Sequence, residues 1–250
     1  MKVCIIGFGV MGQAISRVLA KAKSVKKLSV IKKDSKVAVV INGIKKADYV
    51  IVAVKPQDVA SLAEEVRGYL DETTTLISIV VGVSIQKLEK IFRHKKVVRA
   101  MPNLGLTVSQ GIIAWRASKA VKLKEKSEIN KFLNLIPESF MVNNEQDIDK
   151  VGAVSGSGPA YFFLLADAMC HSAVKLGLSK IQAERLVKKT FIAAAELQRT
   201  SDYSQLVKKI ASKKGITEAA IKVFHKMKFD KTVESAIYAA HKRAKELNRG

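Results

Sequence analysis

The chain has 250 residues, 48% of them apolar, which is enough to bury a core and long enough for one large domain or two of ordinary size. Lys and Arg number 44 against 22 Asp and Glu, a net charge of +22 that would suit a nucleic-acid partner; yet the lysines are scattered, as at Lys21, Lys23, Lys26, Lys27, Lys188, Lys189, Lys208 and Lys209, with no basic tail or aromatic-interleaved patch. That distribution reads as a solvated surface and argues against nucleic acid, while the longest apolar run is too short and too interrupted for a membrane span.

Lys2 to Ile6 is a β-branched run, and Gly7-Phe8-Gly9-Val10-Met11-Gly12 follows it directly. This G-x-G-x-x-G pattern has a strand before it and an amphipathic helix after it, with Ala14, Ile15, Val18 and Leu19 on one face, which is the setting a dinucleotide site requires. The glycines permit the tight turn, the approach of backbone to a pyrophosphate and the packing of helix on sheet, while the helix amino terminus favours negative charge. The next strand, residues 28–31, is followed by Lys32, Lys33 and Asp34. A carboxylate at this strand's end serves the ribose hydroxyls of NAD; two lysines placed first favour the 2′-phosphate of NADP, with Asp34 within reach. Only residues 32–36 separate this strand from the apolar run 37–41, too few for a helical crossover between parallel neighbours. The expectation is that the usual second helix is missing or that the chain turns back as a hairpin.

Residues 49–54 form a continuous apolar strand of the kind buried on both faces of a parallel sheet, ending in Lys55-Pro56-Gln57. Ligands of open α/β sheets lie beyond the carboxyl ends of strands, so Lys55 is expected to face the cofactor. A helix over 58–69, a strand over 75–81, a short helix after Ser84 and a strand over 97–100 continue the alternation. Met101-Pro102-Asn103 opens a loop holding Gly105 and Gly111, and weak strands near 112–115 and 139–142 flank a helix at about 123–135. The expected fold is α/β, with a Rossmann-like dinucleotide-binding domain over 1–147 and an all-helical domain over 148–250.

In the second half, Ser155-Gly156-Ser157-Gly158 reads as a turn, after which Pro159 opens a helix capped by Gly158 and closed by Gly177. Tyr161, Phe162, Phe163, Leu164, Leu165 and Met169 help to cover almost its whole circumference, leaving Asp167, His171 and Lys175 as a thin polar stripe. Such a helix must be buried, in a large core or in a subunit interface. Free N–H groups behind the small turn would let a carboxylate rest close to backbone; the simpler alternative is a Gly-rich connector before a core helix. Ser179-Lys180-Ile181-Gln182 is a capping box, and Asp202, Thr217 and Asp230 are candidate caps of three further helices. These alanine-rich helices fit dimer formation or an intramolecular bundle. Cys4 and Cys170 sit in apolar runs and read as reduced, buried thiols of a cytoplasmic protein, in line with an amino terminus that enters a strand at once instead of a signal peptide. His94, His171, His225 and His241 have no metal-ligand spacing.

Taken together, these motifs resemble the pyrroline-5-carboxylate reductase family over essentially the whole chain. The matching pieces are the glycine turn, Ala53-Val54-Lys55-Pro56, Arg99-Ala100-Met101-Pro102-Asn103, Ser155-Gly156-Ser157-Gly158-Pro159-Ala160-Tyr161, and Val174-Lys175-Leu176-Gly177-Leu178; the fourth is the most specific. The resemblance implies hydride transfer from NADPH or NADH to the C=N bond of 1-pyrroline-5-carboxylate, giving L-proline in the last step of proline biosynthesis. It implies a homodimer formed by the helical domain, with larger rings built from dimers. Residue by residue, it implies that Gly7, Phe8, Gly9, Val10, Met11 and Gly12 hold the pyrophosphate, that Ala53, Val54, Lys55 and Pro56 line the nicotinamide, and that Asn42 touches the adenosine ribose. The family's Ser-Pro-Gly-Gly-Thr-Thr segment falls on Ser212-Lys213-Lys214-Gly215-Ile216-Thr217. Thr217 would then hydrogen-bond the ring nitrogen while nearby backbone amides hold the carboxylate. Asn103, Ser157, Gly158 and Ile216 would complete the substrate site, with Thr217 and Lys55 as the catalytic candidates. In the family that site is built from both subunits.

The chain departs from the family pattern at Lys213 and Lys214, where Pro and Gly are usual, at Leu104-Gly105 after Asn103, and at Lys208 and Lys209. Hydride addition to a protonated imine needs positioning more than acid–base machinery, which agrees with the absence of a His/carboxylate or Cys/His constellation. Two alternatives follow from the departures: a related NADP-dependent reductase or dehydrogenase of another small imino or carbonyl acid, and a non-catalytic basic nucleotide-binding relative, which would show salt-dependent nucleic-acid binding and no hydride transfer.

Overall fold

The computed structural model describes residues 1–136 and 138–249. It divides into two compact units, the first comprising Met1–Ser157 with Ala239–Gly250 and the second Gly158–Tyr238.

The first unit holds a seven-stranded sheet: β1 (Lys2–Ile6), β2 (Lys27–Ile31), β3 (Tyr49–Val52), β4 (Thr75–Ser78), β5 (Val97–Pro102), β6 (Ile113–Ala117) and β7 (Ser139–Met141), in the order β2-β1-β3-β4-β5-β6-β7. Neighbours are parallel except β5 and β6. Its helices are α1 (Val10–Leu19), α2 (Val37–Ile44), α3 (Val59–Val66), α4 (Ile85–Phe92), α5 (Leu123–Leu133) and α6 (Gln146–Val151). The two-residue alternation of a strand sorts the side chains between two cores. Val3, Ile5, Tyr49, Ile51, Ile77 and Val98 lie with Ile15, Leu19, Ile129 and Phe132 of α1 and α5. Cys4, Ile6, Val50, Val52, Leu76 and Val97 lie with Val40, Ile44, Leu62, Leu88 and Phe92 of α2, α3 and α4. Both faces are covered, which is why β1 and β3 read as unbroken apolar runs.

The run 37–41, expected to belong to a hairpin or to replace a missing helix, is instead the start of α2, the crossover helix itself. Its β-branched residues cost a few tenths of a kcal/mol each as helix formers. Burial of Val40 and Ile44 on one face outweighs that cost, while Val37 and Val39 stay exposed. Because β1 pairs with β2 on one side and β3 on the other, the switch point of the sheet lies at the carboxyl end of β1, where the glycine turn begins.

The second half corrects a further expectation. α6 continues through a π-helical turn at Gly152–Gly156 and Ser157 into α7 (Gly158–Lys175), with no open loop between them. The N–H of Ser157 donates to the Gly152 carbonyl at 2.9 Å, so the Gly/Ser segment is part of a helical ladder and its amino end is not a free anion platform. Gly158 is the first residue of α7 and not a cap outside it. The small residues serve packing: a Cβ on Gly152 would stand 3.2 Å from the Met101 Cε, and one on Gly156 would stand 3.7 Å from its Sδ. A buried ion pair fixes α6 to β5. Arg99, 1% exposed, donates from Nη2 to Asp149 Oδ1 at 2.5 Å and from Nη1 to Glu145 Oε1 at 3.2 Å. Residues 148–157 therefore pack with the first unit, beyond the break expected at 147.

The second unit contains α7, α8 (Lys180–Leu197), α9 (Tyr203–Ile210), α10 (Ile216–Lys226) and the first part of α11 (Phe229–Arg249). Gly177, at φ +97, ends α7, and the capping box forms as read, with Ser179 and Gln182 exchanging hydrogen bonds of 2.9 and 3.3 Å. The other caps differ. Asp202 precedes α9 without a side-chain cap bond, Asp230 lies inside α11, and the N-cap of α10 is Gly215 and not Thr217. Left-handed Lys214, at φ +61, turns the chain early, and Glu218 reaches back to the Lys214 N–H at 2.8 Å. Phe162 and Phe163 rest against Phe191 of α8 with centroids 6.0 and 6.3 Å apart. Even so Leu164 is 72% exposed and Phe162 59%, so the helix expected to be buried is uncovered by its own chain. Cys4 is buried as expected, whereas Cys170 is only partly so. Among the described residues no helix is long and apolar enough to cross a membrane.

Candidate active site

The glycine turn joins β1 to α1 and separates its three glycines by role. Gly7 has φ +107, and a Cβ there would collide with the Ala53 carbonyl and stand 2.9 Å from the Val54 nitrogen. A Cβ on Gly12 would collide with the Gly7 carbonyl oxygen. These two are needed by the protein's own packing, since they bring the turn down onto Ala53 and Val54 at the end of β3. Gly9 is different: nothing lies within 4 Å of its Cβ position. It is the N-cap of α1, no side chain caps that helix, and no acidic residue occupies its first turn. The first-turn N–H groups thus face open space under the positive end of the helix dipole, which is an arrangement for an anion. Phe8 and Val10 flank it, 39% and 61% exposed.

Lys32 and Lys33 are exposed at the end of β2. The Lys32 ammonium lies 5.3 Å from the centroid of the Phe8 ring, which places one positive charge beside the turn. Lys55 and Pro56 follow β3 and are exposed; Ala53 and Val54 are half-buried and lie against the turn at Gly7. Asn42 is exposed on α2, next to Gly43, whose Cβ position faces Ile31 at the end of β2 as well as Cys4 and Ser29. Cys4 contributes no chemistry; burial pushes its thiol up to about 12.

A cleft of ≈ 440 Å³ opens within the first unit beside the first turn of α1. Its walls are Met11, Val81 after β4, the end of β5 through Met101, Pro102, Asn103 and Leu104, and the π-helical turn through Gly152, Gly156 and Ser157. Asn103 holds two walls together. Its Nδ2 donates to Ser155 Oγ at 3.1 Å, and its Oδ1 accepts from the Ile112 N–H at 3.2 Å. Ser157 lines the cleft, and Gly158, buried, follows it as the first residue of the second unit. Thr217 and Ile216 lie in the second unit as the first two residues of α10; Ile216 is 93% exposed and Thr217 half-buried. No side chain caps α10 either, so its first N–H groups are available to a carboxylate.

A further wall was missed from sequence. Ala240, Arg243, Ala244 and Leu247, at the end of α11, also line the cleft. Their spacing of three and four was visible as one face of the last helix, but nothing in it said that this face would meet the end of β5.

Comparison with known proteins agrees with this geometry. The family model described as pyrroline-5-carboxylate reductase dimerisation matches residues 145–247, and the one described as NADP oxidoreductase coenzyme F420-dependent matches residues 2–82. The pyrroline-5-carboxylate reductase of Pseudomonas aeruginosa is 36% identical over 204 residues, 80% of this chain and 75% of that one. That of Aquifex aeolicus is 31% identical over 99% of this chain and 97% of its own. The crystal structure of Plasmodium falciparum pyrroline carboxylate reductase with NADP bound superposes with a TM-score of 0.86 at 30% identity, covering 99% of this chain and 98% of that one. The chain belongs to the pyrroline-5-carboxylate reductase family.

Proposed function

We propose that this protein is an NADPH-dependent pyrroline-5-carboxylate reductase, reducing the C=N bond of 1-pyrroline-5-carboxylate to L-proline. The observation that carries the reading is the open, uncapped amino end of α1 at Gly9, which leads directly into the cleft bordered by Met11, Asn103 and Ser157. Glycine with free space above it and unclaimed N–H groups fits a pyrophosphate, and Lys32 beside Phe8 fits a ribose phosphate. NADPH supplies the hydride when bound. The residues of the chain do the rest. Gly7 to Gly12 hold the pyrophosphate, Ala53 to Pro56 border the nicotinamide, Lys32 and Lys33 favour the 2′-phosphate, and Asn103 keeps the cleft open by tying its loop to Ser155. Thr217 orients the imine nitrogen, and the free N–H groups at the start of α10, with Ile216, take the carboxylate.

In this reading Ile216 and Thr217 reach the cleft from a second copy of the chain. Support comes from α7, whose exposed Phe162, Phe163 and Leu164 form an apolar surface that its own chain leaves uncovered. The protein works as a homodimer, and rings of dimers are built from it. Its free thiols fit a reducing compartment, the cytoplasm. Lys213 and Lys214 beside the start of α10 favour a second reading, a related imino acid carrying a further negative charge. Oxidation of NADPH and NADH with racemic 1-pyrroline-5-carboxylate, followed by absorbance, tests the assignment: turnover favouring NADPH is expected, and folded dimer without turnover overturns it.

A further inference from the structure

We infer that the first unit carries a second binding site, at the amino edge of its sheet, for a small organic cation: a protonated amine with an apolar body. The site is independent of the proposed reaction. A cavity of ≈ 620 Å³ opens there between the starts of β3 and β4 and one side of α5. The glycine turn lies against the other end of β3, more than about 10 Å away along the strand. Tyr49 and Thr75 open β3 and β4 and are register partners, so their side chains share one face of the sheet. Each residue is only 8% exposed, yet among the described residues no hydrogen bond reaches either hydroxyl. Neither oxygen is sealed from solvent, so each opens into the cavity that the two residues line. Tyr49 is fixed in place by Phe132, the two rings stacked 4.0 Å apart and 2° from parallel.

The surrounding charge sets the sign of the ligand. In a chain of net charge +22, the charges felt at the Tyr49 hydroxyl are negative: burial first, then Glu128 and Asp48, push it up to about 12, so it stays neutral. Both carboxylates line the cavity, and among the described residues neither makes a salt bridge. The other charged groups of the lining are placed differently. Glu125 is paired with Lys96 at 2.6 Å, the Met1 amino group is engaged by the Ser24 carbonyl at 2.7 Å, and Lys131 is exposed. Asp48 and Glu128 therefore offer acceptors to an ammonium whose remaining N–H groups can use the two hydroxyls. A metal ion does not fit, because among the described residues no three acidic, histidine or cysteine side chains come together to hold one. Ile129, Phe132 and Leu135 supply an apolar wall for the body of the ligand, and the volume is that of a small-molecule site.

Benzylamine, benzyl alcohol and benzoate are alike in shape and differ in charge, so ligand-observed NMR titration of the purified protein with each of them tests the inference. Benzylamine should bind in the millimolar range, as expected of so small a probe, and about fivefold or more tightly than the other two. Glu128→Gln changes an exposed position, and Tyr49→Phe keeps the stacked ring, so both variants should fold. Each should raise the Kd for benzylamine about threefold or more, the loss of one partly solvated contact to a charge. Saturating NADPH should alter that Kd by less than about twofold, since the cofactor binds at the other end of the strands. No binding of benzylamine, benzoate binding as tightly, a Kd unchanged in both variants, or displacement by NADPH would overturn the inference. None of these readouts depends on turnover, so failure here leaves the proposed reaction untouched, and failure of the reaction leaves this site to be judged by titration.

Discussion

Replacing Gly9 by serine should separate cofactor binding from folding. Gly9 has φ −70 and ψ −174, open to any residue, and free space at its Cβ position. A serine there would cap α1, where no side chain does so now. Serine exceeds glycine as a cap by only a few tenths of a kcal/mol, so stability should hold or rise slightly. The hydroxyl would, however, claim N–H groups that a pyrophosphate needs and stand in its path. Losing a charge-assisted hydrogen bond costs about 1.5–3 kcal/mol, or about 10–150-fold in Kd. Gly12→Ala provides the contrast. Its Cβ would meet the Gly7 carbonyl oxygen, so backbone must move, and overpacking of that kind costs about 1–3 kcal/mol. For a chain of this size the unfolding midpoint then drops by about 2–4 °C per kcal/mol. Calorimetry with fluorescence titration of NADPH reads both effects. Gly9→Ser binding NADPH as tightly as wild type, with the fold intact, would refute the placement of the pyrophosphate.

Three further outcomes follow. The double variant Lys32→Ala/Lys33→Ala should lose about 10-fold or more in KM for NADPH and little for NADH, because only the former offers a phosphate to those ammonium groups; equal losses would mean the lysines act elsewhere. Leu164→Glu should leave the chain folded, since that side chain is 72% exposed, yet weaken the dimer by removing a contact of about 1.5–3 kcal/mol and burying a charge. Light scattering would show monomer without turnover; a persistent active dimer would contradict the interface. His94 is held below its ordinary value of 6.5, first by burial and also by the Lys96 charge, although the Thr74 carbonyl at 2.8 Å opposes the shift. The unfolded chain therefore takes up its proton near pH 6.5 while the folded one resists, so stability present above that pH is lost as pH falls below it. Denaturant unfolding at a series of pH values should show a shallower acid slope for His94→Gln than for wild type, and identical slopes would dismiss the effect.

The Rossmann half was legible because its signals are local. The strand–glycine turn–helix unit at residues 2–19 and the apolar run at the start of β3 each announce themselves within a short window. α2 was not, because its β-branched residues point to a strand and only burial of Val40 and Ile44 on the sheet decides otherwise. The Ser155–Gly158 segment looked like a turn since small residues usually mark one. Here the chain stays helical, and Gly152 and Gly156 make room for Met101, a contact that depends on a residue some fifty positions earlier in the chain. The same holds for the cleft. Asn103 and Ser157, which line it, were named through the family pattern, but the wall from α11 depends on Gly82, against which Leu247 packs, and on Asn248, which donates to the Asp149 held by Arg99, contacts that no local window contains.

The most direct test of the proposed reaction is isotope transfer. Purified dimer would be given 1-pyrroline-5-carboxylate and NADPH deuterated at the transferring position, and the product analysed by mass spectrometry and chiral chromatography. L-proline carrying one deuterium on the former imine carbon, formed in step with NADPH oxidation, is the expected result. Oxidation of NADPH without labelled proline, or no oxidation by folded dimer, would contradict it.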